Sequence, residues 1–120
     1  MKPTYIVLGT NNMEASTNFY DALFEQTDLN QVLSNERMIF WQGEDELSAF
    51  AIAKPFDGAP ASNGNGTMIG FHVGSVEEVE RIHRKAIALG GTCEGEPHQR
   101  GPRYSAYVRD LDKNKLCFFE

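Results

Sequence analysis

The sequence predicts an α+β domain in which one unit, a strand, a helix and about three further strands, occurs twice in tandem. The first observation is that an apolar, strand-like run leads through a helix cap into a helical apolar period at residues 4–23 and again at residues 67–87. The second is that strand-like runs separated by turn residues follow each of these segments. Superimposing the two segments aligns the helix caps, Asn12 and Ser75, so the chain reads as the same unit twice.

The first unit opens with a strand and a capped helix. Residues 4–9 are β-branched and apolar and predict the strand. Asn11 and Asn12 follow as N-cap residues, with Glu14 in the first turn, where the helix dipole favours an acid. Apolar residues then recur at helical spacing as far as Leu23 and predict a helix.

Two or three strands complete the first unit. The strand-like runs are a weak one near residues 31–33, then 37–41 and 47–53. The Gly-Glu-Asp sequence at residues 43–45 predicts the turn between the last two runs. Prolines, glycines and asparagines concentrate in residues 55–66 and predict a linker.

The second unit repeats this order from a strand at residues 67–73. Ser75 and Glu78 match the capping box, in which each side chain satisfies an unpaired amide of the first turn. The helix that follows is expected to end at Gly90 and Gly91. The remaining strands are predicted at residues 92–95, 103–109 and 115–119, with a loop at 96–101 that contains His98 and a turn at 110–114.

These elements predict a single domain over residues 1–120, with module 1 over about 1–54, a linker over about 55–66 and module 2 over about 67–120. A half of about 60 residues has only a marginal core area by itself. We therefore expect the two halves to share a sheet or to pack edge to edge.

Composition and charge exclude several classes of protein. Of the 120 residues, 41% are hydrophobic and 23% are charged, which is typical of a globular domain. The net charge of −6 disfavours nucleic acid as a partner, because phosphates attract basic proteins. No apolar run approaches the roughly 20 residues of a membrane span, and the N-terminus lacks signal-peptide anatomy. We expect a cytoplasmic protein with no membrane partner, in which Cys93 and Cys117 are free thiols.

Segments distributed over the whole chain carry a family resemblance. They are the opening strand, residues 12–16 with Phe19 and Tyr20, residues 75–78, residues 89–91 and residues 107–116. In their order and spacing they resemble the vicinal-oxygen-chelate superfamily, the glyoxalase, bleomycin-resistance and extradiol dioxygenase fold. The last segment is close to the R-D-P-D-G-N signature of that superfamily, with Leu111 for the usual Pro and Lys113 for the usual Gly. The resemblance implies paired βαβββ modules that form an open curved sheet, a cup with the helices on its outer face, and a homodimer.

Metal-dependent members of the superfamily hold a divalent ion on four cup-lining ligands, mostly His, Glu or Gln. Carried over by position, these ligands fall on Tyr5, Met68, Cys117 and one residue within 49–53. A phenol, a thioether and a lone thiol suit a hard divalent ion poorly, and residues 49–53 offer no ligating side chain. We predict no metal at these positions and no other cofactor; a divalent ion on other ligands stays open.

Strand alternation predicts which side chains line the cup. In each strand, the more apolar set is assigned to the helix side and the other set to the cup. Trp41 or its neighbour Phe40 also lines the cup, and alternation does not decide between them. The predicted ligand-binding residues are Tyr5, Val7, Trp41, Met68, His72, Arg103, Tyr107, Cys117 and Phe119.

Aromatic rings with a few polar groups suit a small, partly apolar or aromatic molecule. His72 is the candidate catalytic residue because imidazole titrates near neutrality, although a hydrogen bond within a filled sheet face is the more ordinary explanation of a histidine here. Arg103 suits either an anionic group of the ligand or a surface salt bridge.

The leading hypothesis is a metal-free protein of this superfamily that binds a small molecule in the cup. The alternative is an enzyme: a metal-dependent lyase such as lactoylglutathione lyase or a dioxygenase with non-standard ligands, or a metal-free isomerase or hydrolase that uses His72. A third hypothesis is a partner-binding module whose cup is plugged by side chains.

Overall fold

Both halves of the chain fold as the predicted strand–helix–three-strand unit, which confirms the α+β class with two βαβββ modules. A computed structural model describes residues 1–120, which divide into two units, Met1–Ser62 and Asn63–Glu120. Each unit carries one open four-stranded sheet and one helix. Neither helix is long and apolar enough to span a membrane.

The first unit has the strand order β1-β4-β3-β2, with β1 parallel to β4 and the other pairs antiparallel. Asn12 caps the helix, because its Oδ1 atom accepts the backbone N–H of Ala15 at 3.0 Å. The elements are β1 (Tyr5–Gly9), α1 (Met13–Leu23), β2 (Asn30–Ser34), β3 (Met38–Gln42) and β4 (Ala49–Ala53).

The core of the first unit is an aromatic cluster between α1 and the sheet. Tyr20 and Phe24 of the helix region pack against Trp41 of β3 and Phe50 of β4, with ring centroids 4.7–5.9 Å apart. Trp41 is buried, and its Nε1–H donates to Asp21 Oδ1 at 2.9 Å. The helix therefore lies on the face of the sheet that carries the largest rings.

The second unit has the equivalent strand order, β5-β8-β7-β6, again with only the first pair parallel. Ile69, Leu116 and Val108 lie in one row of the sheet and are buried on the side that α2 covers. The elements are β5 (Met68–His72), α2 (Val76–Ala88), β6 (Thr92–Arg100), β7 (Arg103–Arg109) and β8 (Lys115–Phe119).

Helix α2 begins after the predicted cap, Ser75, and ends at Ala88, two residues before the predicted glycines, but only half of the capping box forms. Ser75 Oγ accepts the backbone N–H of Glu78 at 3.1 Å. The Glu78 carboxylate binds the Arg81 guanidinium at 2.6 and 2.9 Å and does not return to the cap. Beyond the helix, a Cβ on Gly91 would lie 2.8 Å from the Ala86 carbonyl oxygen and 2.9 Å from that of Arg109, so only glycine fits there.

Strand β6 is longer than predicted, and the loop expected at residues 96–101 is wrong. Residues 92–100 form one strand, and His98 pairs with Ser105 of β7. Register shifts between Cys93 and Gly95 and between Gly95 and His98 mark two irregularities that add residues to β6. A proline and a glycine are tolerated here because β6 is the edge strand of its sheet.

The turn at residues 110–114 explains how the chain accommodates its departures from the superfamily signature. The buried Asp110 carboxylate accepts the backbone N–H groups of Asp112 and Asn114 at 2.8 and 2.9 Å and the Asn114 side-chain N–H at 3.0 Å. Lys113, at the position of the usual glycine, has a φ of 67°. These side-chain hydrogen bonds hold the turn in spite of the cost of a left-handed lysine.

Candidate functional site

In each sheet, one face packs against its helix and the other carries no helix of its own unit. Strand register assigns the side chains to these faces. The first helix-free face consists of Tyr5, Val7, Gly9, Met38, Phe40, Gln42, Ala49, Ala51 and Ala53, with Asn30 and Leu33 of the edge strand β2. The second helix-free face consists of Met68, Gly70, His72, Arg103, Ser105, Tyr107, Arg109, Lys115, Cys117 and Phe119, with Thr92, Gly95, His98 and Arg100 of the edge strand β6.

Trp41 does not lie on the helix-free side, so its inclusion among the ligand-binding residues is wrong. Its ring is buried in the aromatic cluster under α1, where Asp21 accepts its N–H. Its neighbour Phe40 lies on the first helix-free face and contacts Tyr5 edge to face, with ring centroids 5.6 Å apart. Because both rings are large and apolar, strand alternation alone could not decide which of Phe40 and Trp41 lies under the helix. The hydrogen bond from the indole N–H to Asp21 explains why Trp41 occupies that position.

The other predicted residues lie on the helix-free faces, in two groups. Tyr5 and Val7 belong to the first face. The remaining residues, all in the second unit, belong to the second face: Met68, His72, Arg103, Tyr107, Cys117 and Phe119. Whether any of them contacts a ligand stays a prediction.

Cations lie over aromatic rings on the second helix-free face. Arg100 Cζ and Lys115 Nζ are 5.1 and 5.2 Å from the centroid of the Tyr107 ring. Arg103 Cζ is 5.3 Å from the centroid of the Phe119 ring. These distances are within the range of cation–π attraction, so the rings and the positive charges form one surface.

The guanidinium groups of this surface differ in how they are neutralised. Arg109 forms an ion pair with Glu94, with Nε and Oε1 2.5 Å apart. Arg103 donates to the Glu120 backbone carbonyl at 2.9 Å, and Arg100 donates to the backbone carbonyls of Ser105 and Glu96. Because carbonyl oxygens carry no net charge, these hydrogen bonds leave the positive charges of Arg100 and Arg103 without a balancing anion, unlike that of Arg109.

Two of these cations were not among the predicted residues. Arg100 was assigned to the edge of a loop, and only the bulged strand β6 brings it over Tyr107. Lys115 could have been found, since it precedes Cys117 by two residues and therefore shares its face.

His72 and Cys117 are the side chains of this face that could act as a general base and as a nucleophile. The His72 ring lies 5.5 Å from the Phe119 ring, and His72 is exposed. Burial raises the pKa of the Cys117 thiol, although a hydrogen bond with Tyr107 opposes the shift. Cys117 is therefore a protonated thiol at neutral pH and a poor nucleophile.

A groove of about 370 Å³ runs along the end of the first helix-free face. Val7 and Gly9 form one side, and residues 54–62 form the other. Arg37 Cζ lies 5.4 Å from the centroid of the exposed Phe56 ring. Residues 54–62 are held against the rest of the first unit by the Asn11 side chain. Its Oδ1 atom accepts the Ala61 N–H at 2.7 Å, and its amide N–H donates to the Ala61 carbonyl at 3.1 Å.

The two βαβββ units with their helix-free faces are typical of one superfamily. The family model described as the Glyoxalase/Bleomycin resistance protein/Dioxygenase superfamily matches residues 2–118. The chain belongs to that superfamily, as the sequence resemblance predicted.

Solved structures agree with this assignment. A glyoxalase/bleomycin resistance protein from Albidiferax ferrireducens T118 shares 36% identity, with 97% of this chain and 95% of that chain covered and a TM-score of 0.88. The hypothetical protein SA1046 from S. aureus shares 22% identity, with 99% and 96% covered and a TM-score of 0.76. A superfamily enzyme from Burkholderia phytofirmans PsJN shares 18% identity, with 99% and 98% covered and a TM-score of 0.80. The last two show the fold alone, and no curated protein matches the chain.

The residues at the superfamily's metal-ligand positions do not fit a metal ion. Tyr5 and Met68 offer a phenol and a thioether, and Cys117 offers a buried thiol whose pKa is raised. The side chains of β4 on the first helix-free face are alanines. A hard divalent ion finds no carboxylate or imidazole among these positions, so we derive no step through such an ion.

Proposed function

We propose that the chain binds a small molecule with a planar apolar part and an anionic group, and that the second helix-free face contacts it. The observation that carries this proposal is the set of cations lying over Tyr107 and Phe119 on a face where the Glu94 carboxylate is paired with Arg109. Rings favour a planar apolar group, and guanidinium and ammonium groups favour a carboxylate or phosphate.

The electrostatics of this face support an anionic ligand in spite of the net charge of the chain, which is −6. Arg103 and Arg100 bind only backbone carbonyls, so an incoming anion meets cations that are positioned but not neutralised. A charge-assisted hydrogen bond to such a group is about twice as strong as a neutral one. Met68 and Cys117 supply soft apolar surface beside these cations.

The test is the binding of 2-naphthoate, measured by isothermal titration calorimetry at low salt. We expect Arg103→Gln and Lys115→Gln each to weaken binding by about 10-fold, since each removes one charged partner of the carboxylate. Arg84→Gln, at an exposed position of α2, is the matched control and should leave the affinity unchanged. Equal binding of the neutral 2-naphthamide, or unchanged affinity in both variants, would contradict the proposal.

The proposal includes binding without a metal at the superfamily positions. We therefore expect the affinity for 2-naphthoate to be the same before and after dialysis of the protein against EDTA. Loss of binding after dialysis, with recovery on adding a divalent ion, would show that the ligand needs a metal.

Tyr5 and Val7 stay predicted ligand contacts, and Tyr5→Phe and Val7→Ala test them in the same titration.

Catalysis is the second candidate function, and His72 is the observation that favours it. An exposed imidazole beside Phe119 is the kind of side chain that acts as a general base. In an isomerase or hydrolase, His72→Ala would abolish turnover and leave ligand affinity within about 10-fold. A His72→Ala protein with full activity on an identified substrate would remove this candidate; a lyase or dioxygenase would instead require a metal on other ligands.

A homodimer and a cytoplasmic location complete the proposal, as the resemblance and the sequence suggest. Light scattering during size-exclusion chromatography should give twice the chain mass of 13.4 kDa. A mass of one chain at micromolar concentration would contradict the dimer. Cell fractionation with a tagged chain tests the location.

A further inference from the structure

Three side chains of the metal-binding type meet on the helix side of the second sheet, away from the helix-free face. They are His83 of α2 with Cys93 and Glu96 of β6. His83 Nε2 lies 3.3 Å from Cys93 Sγ, and Cys93 Sγ lies 3.4 Å from Glu96 Oε1. All three candidate ligand atoms lie within 4.8 Å of one another.

The irregular strand β6 creates this cluster. In a regular strand, residues three positions apart point to opposite faces, so Cys93 and Glu96 could not both face α2. The register shifts on either side of Gly95 add residues to β6 and bring both side chains toward His83. Bulges of this kind often redirect a side chain at a functional site.

The distances match the coordination geometry of zinc. Tetrahedral Zn²⁺ has Zn–S bonds near 2.3 Å and Zn–N and Zn–O bonds near 2.0–2.2 Å, which places neighbouring ligand atoms about 3.5 Å apart. The two short distances of the cluster, 3.3 and 3.4 Å, are close to this value. Two of the three distances between ligand atoms thus suit a tetrahedral ion, and the third, between His83 and Glu96, is no longer than 4.8 Å.

The electrostatics of the cluster also favour a cation. The Glu96 carboxylate lies against the Cys93 thiol, with Oε1 and Sγ 3.4 Å apart, and so places negative charge beside the site. His83 is buried and its Nε2 atom faces the Cys93 thiol, so the cluster combines one sheltered imidazole with two exposed ligands.

A nucleophilic role fits these groups less well. In a Cys–His–acid triad, the imidazole lies between the thiol and the acid. Here the thiol lies between the imidazole and the carboxylate. The arrangement lacks a base whose orientation a third group fixes, whereas three converging ligand atoms are what an ion needs.

We propose that His83, Cys93 and Glu96 bind one Zn²⁺ ion through Nε2, Sγ and a carboxylate oxygen, with water at the fourth position. Binding replaces the thiol proton of Cys93, which passes to the solvent as the Zn–S bond forms. None of these residues occupies a superfamily ligand position, and the proposal does not depend on the ligand of the second helix-free face.

Titration of the chelator-treated full chain with Co²⁺ tests the site, because Co²⁺ adopts the tetrahedral geometry of zinc and is coloured. We expect one equivalent to produce the thiolate-to-cobalt charge-transfer band and the strong visible bands of a tetrahedral site. Zn²⁺ should then displace the colour at one equivalent. Absence of the charge-transfer band, or binding without a defined stoichiometry, would overturn the proposal.

Exposed ligands allow variants that preserve the fold. Cys93→Ser should remove the charge-transfer band, and Glu96→Gln should weaken Zn²⁺ binding by at least about 100-fold, the upper range seen when only a supporting residue is lost. Cys117→Ser and Glu36→Gln, at an exposed position of the first unit, are the matched controls and should behave as the parent chain. A band that persists in Cys93→Ser or disappears in Cys117→Ser would contradict the assignment.

Discussion

At the residue scale, Trp41 shows how one polar atom decides the face that a side chain occupies. The ring is fully buried, and its N–H donates to Asp21 of α1 at 2.9 Å. Phe40, on the opposite face, contacts only the edge of Tyr5 among the aromatic rings. Alternation predicted the two faces correctly but could not choose between two large rings, since the choice depends on a partner on another element.

The first prediction concerns this contact. Trp41→Phe should lower the free energy of unfolding by about 2 kcal/mol, because it leaves a cavity and removes the hydrogen bond to Asp21. Phe40→Leu is the matched control and should cost less than about 1 kcal/mol, as an exchange of one large apolar side chain for another at a half-buried position. Urea unfolding followed by circular dichroism measures both, and a larger loss for Phe40→Leu would contradict the placement of Trp41.

The two cysteines should differ in reactivity. Cys117 is buried and its pKa is raised by that burial, so the inflection of its alkylation rate with pH should lie above that of an ordinary thiol. The pKa of the Cys93 thiol is raised as well, so exposure sets the order: iodoacetamide at pH 8, in the presence of EDTA, should modify the exposed Cys93 before the buried Cys117. Peptide mass spectrometry measures the order, with protein in guanidinium chloride as the control in which both react alike. Preferential labelling of Cys117 in the native protein would contradict its burial.

At the element scale, caps, turns and apolar spacing predicted the helices and most strands. They missed the second half of strand β6, which forms by pairing with β7. The caps Asn12 and Ser75 and the glycines after α2 mark their elements through contacts within a few residues. Strand β6 extends through a proline and a glycine because β7 pairs with it across two irregularities. Such pairing is long-range, so neither the extension nor the cluster of His83, Cys93 and Glu96 could be predicted from the sequence pattern.

Helix α2 gives a prediction at this scale. Ser75→Ala should lower the free energy of unfolding by about 1 kcal/mol, since the Glu78 N–H loses its partner at the first turn. Ser75→Asp keeps an acceptor in place and should be close to the parent. Thermal unfolding measures both variants, and equal stability of Ser75→Ala and Ser75→Asp would contradict the role of the cap.

At the scale of the whole molecule, the two units share one strand topology but differ in the side chains on their helix-free faces. Both units have the same strand order, and Val7 pairs with Ala51 as Gly70 pairs with Cys117. The first helix-free face has only alanines on β4, whereas β8 carries a lysine, a cysteine and a phenylalanine at the equivalent positions. Polar chemistry is therefore concentrated in the second unit, which the sequence indicated for His72 and Arg103 but not for Arg100.

We predict that the two units unfold together, as expected for one domain. A unit of about 60 residues has a marginal core, so neither should be stable alone. A single transition is expected when urea unfolding is followed both by Trp41 fluorescence, which reports only the first unit, and by circular dichroism. Two separated transitions would show that the units are independent domains.

The most direct test of the proposed function is a map of where an anionic aromatic probe binds. Backbone amide chemical shifts of the labelled protein are followed during titration with 2-naphthoate. We predict that the largest saturable changes fall in β5, β7 and β8, around Met68, Arg103, Tyr107 and Phe119, and that Arg103→Gln reduces them. Changes confined to the helices, or no saturable change at millimolar probe, would contradict binding at the second helix-free face.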